Sequence, residues 1–550
     1  MGEPLQKERV PIGKINASSD NSNDDAINVA LDKRSSQELI LAFAGPIGCG
    51  ISLAIHESKR ILETIGYEVH IIKLSKFIQT SIDEGAIKLE SANYENTSDK
   101  TLRILKLQDG GNELRKKEGS ILAACAMQDI ALQRGTQAEK AAFTGALSDY
   151  VPKRTAYLID QIKHPDEVSM LRKVYGNLFH LIGVISIFEK RKARLTTSDK
   201  IDPSDISMLI ERDRRQEDSN GQQLDKALQM ADFFISSDQG TMPSLNRKLK
   251  RFLNLLHHEN GVTPTAQEYG MYVAYAAGLK SACLSRQVGA AISDKSGKIV
   301  STGCNDVPKA MGGLYTSEDQ TKDRRCVHRE EQICFNDREK ESLKDGIGKT
   351  LRDLKKNNSK DRLIDEDSLN IVLETIYKAS HIKDLIEFSR AVHAEMDAII
   401  SLARVGTPGI AGSTLYTTTF PCHSCARHIV AAGITKVYYI EPYEKSLAQK
   451  LHDDAIAFEV EDDEPEKDST GSTPATSLVK FIHFEGISPR QYLHFFKMGK
   501  RKDEKTGRVI SIIPIDAPKS VGEYLDDYRK FEAKVIQHLN LTLPAVKRAV

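Results

Sequence analysis

The sequence contains no tryptophan and no excess of charge of either sign. Its 77 lysines and arginines balance its 77 aspartates and glutamates, so the formal net charge is zero. Proteins that bind long nucleic acids usually carry a basic surplus or stripe, and those that bind single strands stack bases on aromatic side chains. These absences count against a polynucleotide-binding protein. A local basic pocket for a small phosphate is still compatible with the composition.

Long apolar runs are also missing. The run LILAFAGPIG, which begins at Leu39, is far shorter than the roughly 20 residues that a membrane helix needs. The N-terminal residues are polar and charged, so we expect no signal peptide, no membrane anchor and a cytoplasmic protein. Eight cysteines are scattered over 550 residues. In such a chain they are more often thiols or metal ligands than disulfide partners.

The chain is too long to fold around one ordinary hydrophobic core, so its length predicts two large domains. Residues 1–37 are polar and lack hydrophobic periodicity, which indicates a disordered tail. From residue 38 a short apolar run, a glycine-rich turn, a helical segment and a second apolar run follow one another. This succession is typical of an α/β unit with a parallel sheet, and we assign residues 38–260 to it.

The second domain is expected over residues 261–550, after a junction at Gly261-Val262-Thr263-Pro264. Residues 306–390 are long and mostly polar, which indicates an insertion in this domain. The acidic stretch 460–475 contains Pro, Ser and Thr, and it is predicted to be a flexible loop.

Two short motifs in the second domain predict a zinc site. The triplet HAE at 393–395 and the sequence PCHSC at 421–425 form the H-x-E and P-C-x-x-C signature of zinc deaminases. Cysteines three residues apart at a helix start can turn both sulfurs toward one ion, and the helix N-terminus favours thiolates. With His393, Cys422 and Cys425 as ligands, a fourth tetrahedral position stays open for water, which is typical of catalytic zinc.

Glu395 is expected to carry protons rather than to bind the metal. It lies near the start of the same helix as His393, where its carboxylate can take a proton from water and deliver it to the ring nitrogen and the leaving amine. The alternative is a structural zinc site with His423 or His428 as the fourth ligand. The HAE triplet, the proline before Cys422 and the flanking strand–helix pattern occur together, which favours catalysis.

The second domain resembles the deoxycytidylate deaminase family. Besides the zinc motifs, the resemblance rests on SACLSRQVGAAI at 281–292 and GCNDVP at 303–308. It implies a cytidine-deaminase-like α/β/α fold with a mixed sheet, and a deoxycytidine nucleotide as substrate. Asn305 stands where the asparagine of that family contacts the sugar, and Arg286 is a candidate phosphate ligand.

A phosphate-loop domain joined to this deaminase is similar to the bacterial anti-phage dCTP deaminases. EPYEKSL at 441–447 and FEGISPR at 484–490 also fit that group. The resemblance implies conversion of dCTP, and also dCMP, to uracil nucleotides, which would deplete the dCTP needed for phage DNA synthesis. Lys445 could face a substrate phosphate, with a solvated lysine as the alternative. We expect a homo-oligomer, and the sequence leaves open an inhibitory RNA or protein partner.

Deoxycytidylate deaminases sometimes carry a second, structural zinc. Cys326, His328 and Cys334 in the insertion are candidate ligands for it. No fourth ligand is evident, so reduced and unligated thiols are the alternative.

The sequence GPIGCGIS at 45–52 follows a predicted strand and opens a helix, as the phosphate-binding loop of P-loop proteins does. Ile51 replaces the lysine of that loop. Backbone N–H groups could still hold phosphates, but the cation that neutralises the β and γ oxygens is missing. The alternative is a turn without a ligand. The residues that match the loop are Gly45, Gly48, Gly50 and Ser52.

The stretch DQIKHPDEV at 160–168 resembles nucleoside- and nucleotide-kinase-like proteins, and the arginine-rich segment 212–215 stands where those proteins have lid arginines. We therefore expect a P-loop NTPase/kinase-like three-layer domain that binds a regulatory nucleotide without transferring phosphate. Two other function classes are alternatives to a nucleotide deaminase. Deamination of cytosine or adenine in RNA or DNA is disfavoured by the neutral charge, and nucleotide sensing with a vestigial zinc site is disfavoured by the intact Glu395.

Overall fold

The computed structural model describes residues 34–89, 98–146, 149–214, 216, 220–238, 242–357, 366–380, 382, 385–406, 410–441, 446–459, 478–497, 501–510, 512–515 and 523–543. The chain divides into two compact units. The first comprises Met1–Glu268, Val460–Asp468 and Phe484–Val550, and the second comprises Tyr269–Glu459 and Ser469–His483. This division differs from the single boundary expected at 260/261, because the chain from Phe484 onward belongs to the first unit.

The strands, numbered along the chain, are β1 (Leu39–Ala44), β2 (Glu68–Lys73), β3 (Thr155–Ile162), β4 (Phe179–Ile185), β5 (Phe233–Ser236), β6 (Gly289–Ser293), β7 (Ile299–Cys304), β8 (Thr414–Thr419), β9 (Lys436–Glu441), β10 (Ile456–Glu459), β11 (Val479–His483) and β12 (Gly486–Ile487).

The α-helices are α1 (Ile51–Thr64), α2 (Leu74–Asp83), α3 (Asp99–Lys117), α4 (Ile121–Lys140), α5 (Pro165–Tyr175), α6 (Phe188–Thr197), α7 (Pro203–Arg214), α8 (Leu224–Gln229), α9 (Met242–Leu256), α10 (Ala266–Gly278), α11 (Phe335–Asn357), α12 (Glu366–Ala379), α13 (Ala394–Val405), α14 (His423–Ala431), α15 (Ala448–Leu451), α16 (Tyr492–Phe496) and α17 (Leu525–Thr542).

The first unit contains a six-stranded sheet with the order β12-β5-β4-β1-β3-β2. All its neighbouring strands are parallel except the edge pair of β12 and β5, which is antiparallel. Every residue of β1 is buried, as expected for a central strand of a parallel sheet with both faces covered. The predicted α/β fold with a parallel sheet is confirmed for this unit.

A buried ion cluster connects the residue before β1 with the last helix. Arg134 in α4 donates to Glu38 Oε1 at 2.9 Å and to Glu532 Oε2 at 2.6 Å. The Tyr175 hydroxyl donates to Glu532 Oε1 at 2.5 Å. Burial opposes ionisation of Glu38, but the Arg134 guanidinium outweighs it and lowers the pKa of this carboxyl. Arg134 is therefore the counter-ion of both buried carboxylates.

The predicted disordered tail extends too far, because residues 34–37 are ordered. Ser36 is buried, and its backbone N–H donates to the carbonyl of Glu523 at 2.8 Å. Arg34 forms an ion pair with Asp526 of α17 at 2.8 Å. These contacts lie far away along the chain, so local composition did not reveal them. Residues 1–33 and the predicted acidic loop 460–475 lie outside the described residues.

The two positions where the chain leaves and re-enters the first unit are joined through Glu268. Its carboxylate accepts hydrogen bonds from Arg251 at 2.8 and 2.7 Å and from the backbone N–H of Ile487 at 2.9 Å. Glu268 is fully buried. This carboxylate thus fixes β12 next to the start of α10 within the first unit.

The second unit contains a mixed six-stranded sheet with the order β10-β11-β9-β8-β6-β7. The first four strands in this order are parallel to one another, and β6 pairs antiparallel with both β7 and β8. The predicted mixed sheet is confirmed. A side chain at Gly303 of β7 would collide with the carbonyl oxygen of Ala394, so glycine lets α13 lie directly on this strand.

The predicted insertion 306–390 contains two helices, α11 and α12. Lys344 of α11 and Glu374 of α12 form an ion pair at 2.5 Å. The polar composition thus belongs to an exposed helical pair rather than to a loop. Over the ranges described above, no helix is long and apolar enough to cross a membrane.

We expect Arg134→Met to lower the free energy of unfolding by about 3–5 kcal/mol, because it leaves two buried carboxylates without their counter-ion. The measurement is urea unfolding followed by circular dichroism. Arg34→Gln is the matched control, since it also breaks an ion pair to α17, but an exposed one worth about 0–1 kcal/mol. Equal effects of both substitutions would contradict the assigned role of the cluster.

Candidate functional site

Two helices of the second unit begin at predicted metal ligands. His393 is the residue before α13, with an extended backbone (φ −76°, ψ 153°), and Glu395 lies in the first turn. Cys422 is the residue before α14, and its sulfur accepts a hydrogen bond from the backbone N–H of Cys425 at 3.4 Å. The expected cysteine pair at a helix start is therefore present. Helix N-termini carry partial positive charge, which favours thiolate ligands.

The side chains of His393, Cys422 and Cys425 converge, and we call these three residues the metal-ligand group. Their ligand atoms all lie within 4.8 Å of one another, and they are the only such group of three or more His, Cys, Asp or Glu among the described residues. His393 Nδ1 is 3.3 Å from each of the two sulfurs. One imidazole and two thiols that can ionise suit a tetrahedral zinc with one position free of protein.

The two neighbouring histidines do not complete the metal-ligand group. His428 Nδ1 is 2.6 Å from the carbonyl oxygen of Ser424 in its own helix. His423 Nε2 is 3.7 Å from Glu387 Oε1. Neither imidazole belongs to the set of converging ligand atoms. The geometry therefore favours a site with three protein ligands over a closed structural one.

The two thiols of the metal-ligand group differ in acidity. The hydrogen bond between them and the adjacent His393 lower the pKa of Cys422 to about 4, although burial opposes this. The pKa of Cys425 is raised, because it retains the proton in that hydrogen bond and is buried. One sulfur is thus ready to bind a cation at neutral pH. Metal binding would displace the proton from the other.

Glu395 lies beside the metal-ligand group without belonging to it. Its side chain is buried, and Oε2 lies 3.6 Å from the sulfur of Cys425. Burial raises the pKa of this carboxyl, while the charge of His393 opposes the increase. A carboxyl with a raised pKa at this position is suited to accept a proton and to donate it again.

Asn305 braces the loop that precedes β6. Its amide oxygen accepts from the N–H of Val288 at 2.7 Å, and its amide nitrogen donates to the carbonyl of Arg286 at 2.8 Å. A carboxamide has one further N–H and one further lone pair. The predicted sugar contact by Asn305 stays a prediction, and its bracing role was not foreseen.

The hydrogen bond with Cys422 raises the pKa of His393, and the charge of Arg286 opposes this increase. Arg286 Nη1 is 3.3 Å from Glu441 Oε2, and the arginine side chain is 44% exposed. The same carboxylate oxygen accepts from Thr419 Oγ1 at 3.3 Å. The structure thus holds a solvent-accessible cation near the metal-ligand group, which sequence spacing alone could not locate. Lys445 lies outside the described residues.

The candidate ligands of a second metal do not converge as predicted. His328 is paired with Asp323 at 3.4 Å. Cys326 and Cys334 line a common cleft, which also contains Cys283. Cys283 was missed because it lies more than forty positions before them in the sequence. The three thiols thus line one cleft, but they do not form a group of converging ligand atoms among the described residues.

The predicted phosphate loop of the first unit forms the turn between β1 and α1. Gly48 and Gly50 have left-handed φ values of 77° and 76°, and a side chain at Gly45 would collide with the carbonyl of Val184 in β4. Ser52 is exposed in the first turn of α1. The glycines therefore serve a sharp strand–helix turn packed against the sheet.

The arginines predicted to act as lid residues are paired elsewhere. Arg212 forms an ion pair with Asp109, and Arg214 pairs with Glu211 at 2.7 Å. Residue 215 lies outside the described ranges. The cations that contact the loop are instead Lys163, which donates to the carbonyl of Gly45, and Arg194, which donates to the carbonyl of Gly48.

Residues 264–441, which include the metal-ligand group and Glu395, match the sequence model of the cytidine and deoxycytidylate deaminase zinc-binding region. The chain is 30% identical over 178 residues to deoxycytidylate deaminase of Enterobacteria phage T4, which covers 32% of this chain and 78% of that protein. The deoxycytidylate deaminase of Enterobacteria phage T2 is 29% identical over 178 residues, with 32% and 80% covered.

Among solved structures, dCMP deaminase from the cyanophage S-TIM5 in complex with dCMP and dUMP is 21% identical, with a TM-score of 0.21. The match covers 35% of this chain and 93% of that one.

We expect Cys422→Ser and Cys425→Ser each to remove about one equivalent of bound zinc per chain, because two remaining ligands hold zinc weakly. Zinc is measured by inductively coupled plasma mass spectrometry after dialysis. Cys304→Ala is the matched control, since Cys304 is as buried as Cys422, at 5% exposure, but lies outside the metal-ligand group. Unchanged zinc in both serine variants would contradict the assignment.

Proposed function

The chain belongs to the cytidine and deoxycytidylate deaminase family, and from this premise we propose that it hydrolyses the 4-amino group of deoxycytidine nucleotides. The products are the corresponding deoxyuridine nucleotide and ammonia. The observation that carries the proposal is the buried Glu395, with its raised pKa, 3.6 Å from a sulfur of the metal-ligand group. A structural metal site has no use for a buried carboxyl at this place.

Each side chain of the site has one role in this proposal. His393, Cys422 and Cys425 would hold zinc, which would supply Lewis-acid activation of a water molecule. Glu395 would accept one proton of the attacking water on a carboxylate oxygen and pass it to the ring nitrogen N3 of cytosine. It would then accept the second proton of that water and give it to the amine, so that ammonia leaves as the C4–N bond breaks and the C4 carbonyl forms. Burial, which raises the pKa of Glu395, brings its proton affinity closer to that of the groups it serves.

The phosphate of the substrate is assigned to Arg286. This cation lies near the metal-ligand group and remains 44% exposed, so an incoming phosphate can reach it. Phosphate competes with Glu441 for the guanidinium, and a bidentate contact to phosphate is the stronger one. Asn305 is assigned to the sugar. It would contact the sugar with the N–H and the lone pair that its two hydrogen bonds to the loop leave available.

Use of dCTP as well as dCMP, and depletion of dCTP in anti-phage defence, are proposed on the resemblance to the two-domain dCTP deaminases. The first unit is proposed to bind a regulatory nucleotide at the phosphate loop, supported by the left-handed Gly48 and Gly50. We extend the proposal to a second, structural zinc with Cys326, His328 and Cys334 as its candidate ligands. Their side chains would have to draw together on metal binding, because their ligand atoms do not converge in the described part of the chain.

Glu395→Gln is expected to lower the deamination rate of dCMP and dCTP by about 10²–10⁴-fold, because it removes the proton carrier. Uracil products are measured by liquid chromatography. Asp397→Asn is the matched control, since Asp397 lies in the same first turn of α13 but outside the metal-ligand group. No product from wild type with any deoxycytidine nucleotide would overturn the proposed function.

Arg286→Gln is expected to raise KM about tenfold for dCMP and to leave deoxycytidine unaffected, because only the former carries phosphate. Steady-state kinetics with both substrates test this split. Arg427→Gln controls for loss of a charge, since Arg427 is an exposed arginine on α14. An equal change for deoxycytidine would assign Arg286 a structural role instead.

A further inference from the structure

The phosphate loop of the first unit already holds an anion from its own chain. The backbone N–H of Ile47 donates to Asp213 Oδ2 at 2.7 Å. Asp213 is only 3% exposed and lies near the C-terminal end of α7. Backbone N–H groups in such a turn are suited to bind phosphate oxygens. The carboxylate thus occupies a position at which a phosphate oxygen would be recognised.

Lys163 supplies the positive charge that the loop itself lacks. Its Nζ lies 2.7 Å from Asp213 Oδ1 and donates to the carbonyl of Gly45 at 3.0 Å. Lys163 follows β3, so it reaches the loop from a neighbouring strand. The substitution of lysine by Ile51 therefore does not leave the loop without a cation. The side chain of Lys163 is 15% exposed, so its charge is largely sheltered from water.

A second cation, Arg191 of α6, interacts electrostatically with Asp213 and Cys49. Its Nε is buried and has no hydrogen-bonding partner within the described part of the chain. Burial lowers the pKa of this guanidinium, and the charges of Asp213 and Cys49 oppose the decrease. A side chain at Gly48 would lie 3.0 Å from the carbonyl of Arg191, so α6 packs closely on the loop. The arginine is placed to bind an anion larger than one carboxylate.

We propose that Asp213 is an intramolecular plug of the phosphate loop, and that the polyphosphate of a nucleotide binds by displacing it, with Lys163 and Arg191 as its counter-ions. The inference rests on the nucleotide-binding part of the proposed function and adds how that binding is regulated. A phosphate offers more negative charge and more acceptor oxygens than the carboxylate it replaces. Release of Asp213 would free the end of α7, which makes this helix the element that reports occupancy.

The proposed plug predicts that Asp213 weakens the binding of anions to the loop. When the binding-competent state is only a fraction of the population, the apparent dissociation constant rises in inverse proportion to that fraction. Asp213→Asn keeps the shape and an oxygen that can accept from Ile47, but it removes the competing charge. It also leaves Lys163 available to the ligand. Removal of the plug should therefore tighten anion binding.

The test is isothermal titration calorimetry of the full chain with sodium tripolyphosphate, which carries the phosphate chemistry without a substrate base. Asp213→Asn is expected to bind about tenfold more tightly than wild type, and Arg191→Gln about tenfold more weakly. Asp109→Asn is the matched control, because it breaks the ion pair of Arg212 on the same helix without touching the loop. It should bind like wild type.

Hydrogen exchange gives a second readout that a merely structural aspartate would not move. In wild type, tripolyphosphate should increase exchange in residues 203–214, and in Asp213→Asn the exchange there should be high before the ligand is added. Unchanged or weaker binding by Asp213→Asn would overturn the plug, as would no binding by either protein. Deamination of dCMP, assayed in the same preparations, shows separately whether the proposed enzymatic function fails.

Discussion

The carboxylate of Glu268 is the interaction on which the architecture of the first unit depends. It lies where the chain departs toward the second unit, and it binds the backbone of Ile487, where the chain has come back. Arg251 pairs with this fully buried carboxylate at 2.7 Å. A buried charge is tolerated only with such a partner. With β12 held in this way, the C-terminal residues join the unit that the first strands began, and α17 can reach the Arg134 cluster.

The metal-ligand group shows how local structure sets the chemistry of a site. Its members lie at the N-termini of two helices, where backbone N–H groups and the helix dipole favour negative sulfur. Glu395 lies in one of the same first turns, yet burial raises its pKa. Two effects of opposite sign thus act within a few ångströms. The hydrogen bond from Cys425 and the adjacent His393 lower the pKa of Cys422, and burial raises that of the Glu395 carboxyl.

Sequence reasoning placed side chains correctly where the residues are close together in the chain. The pairs His393–Glu395 and Cys422–Cys425 each lie within one helical turn, so their relative positions follow from local structure. It failed where distant residues meet. The ordered residues 34–37, the share of Cys283 in the thiol cleft and the return of the chain at Phe484 all depend on tertiary contacts. No periodicity or composition encodes contacts between segments hundreds of residues apart.

The predicted phosphate loop lacks a lysine at position 51, but it does not lack a nearby cation. Ile51 removes the lysine, but Lys163 from the end of β3 restores a cation beside the loop. Phosphoryl transfer needs that cation to follow the moving γ oxygens, whereas binding needs only fixed N–H groups and a nearby positive charge. Lys163 is held between Asp213 and the carbonyl of Gly45, which suits fixed binding. The proposed role of the loop is therefore binding of a nucleotide rather than transfer of phosphate. In that proposal Asp213 occupies the anion position of the unliganded state.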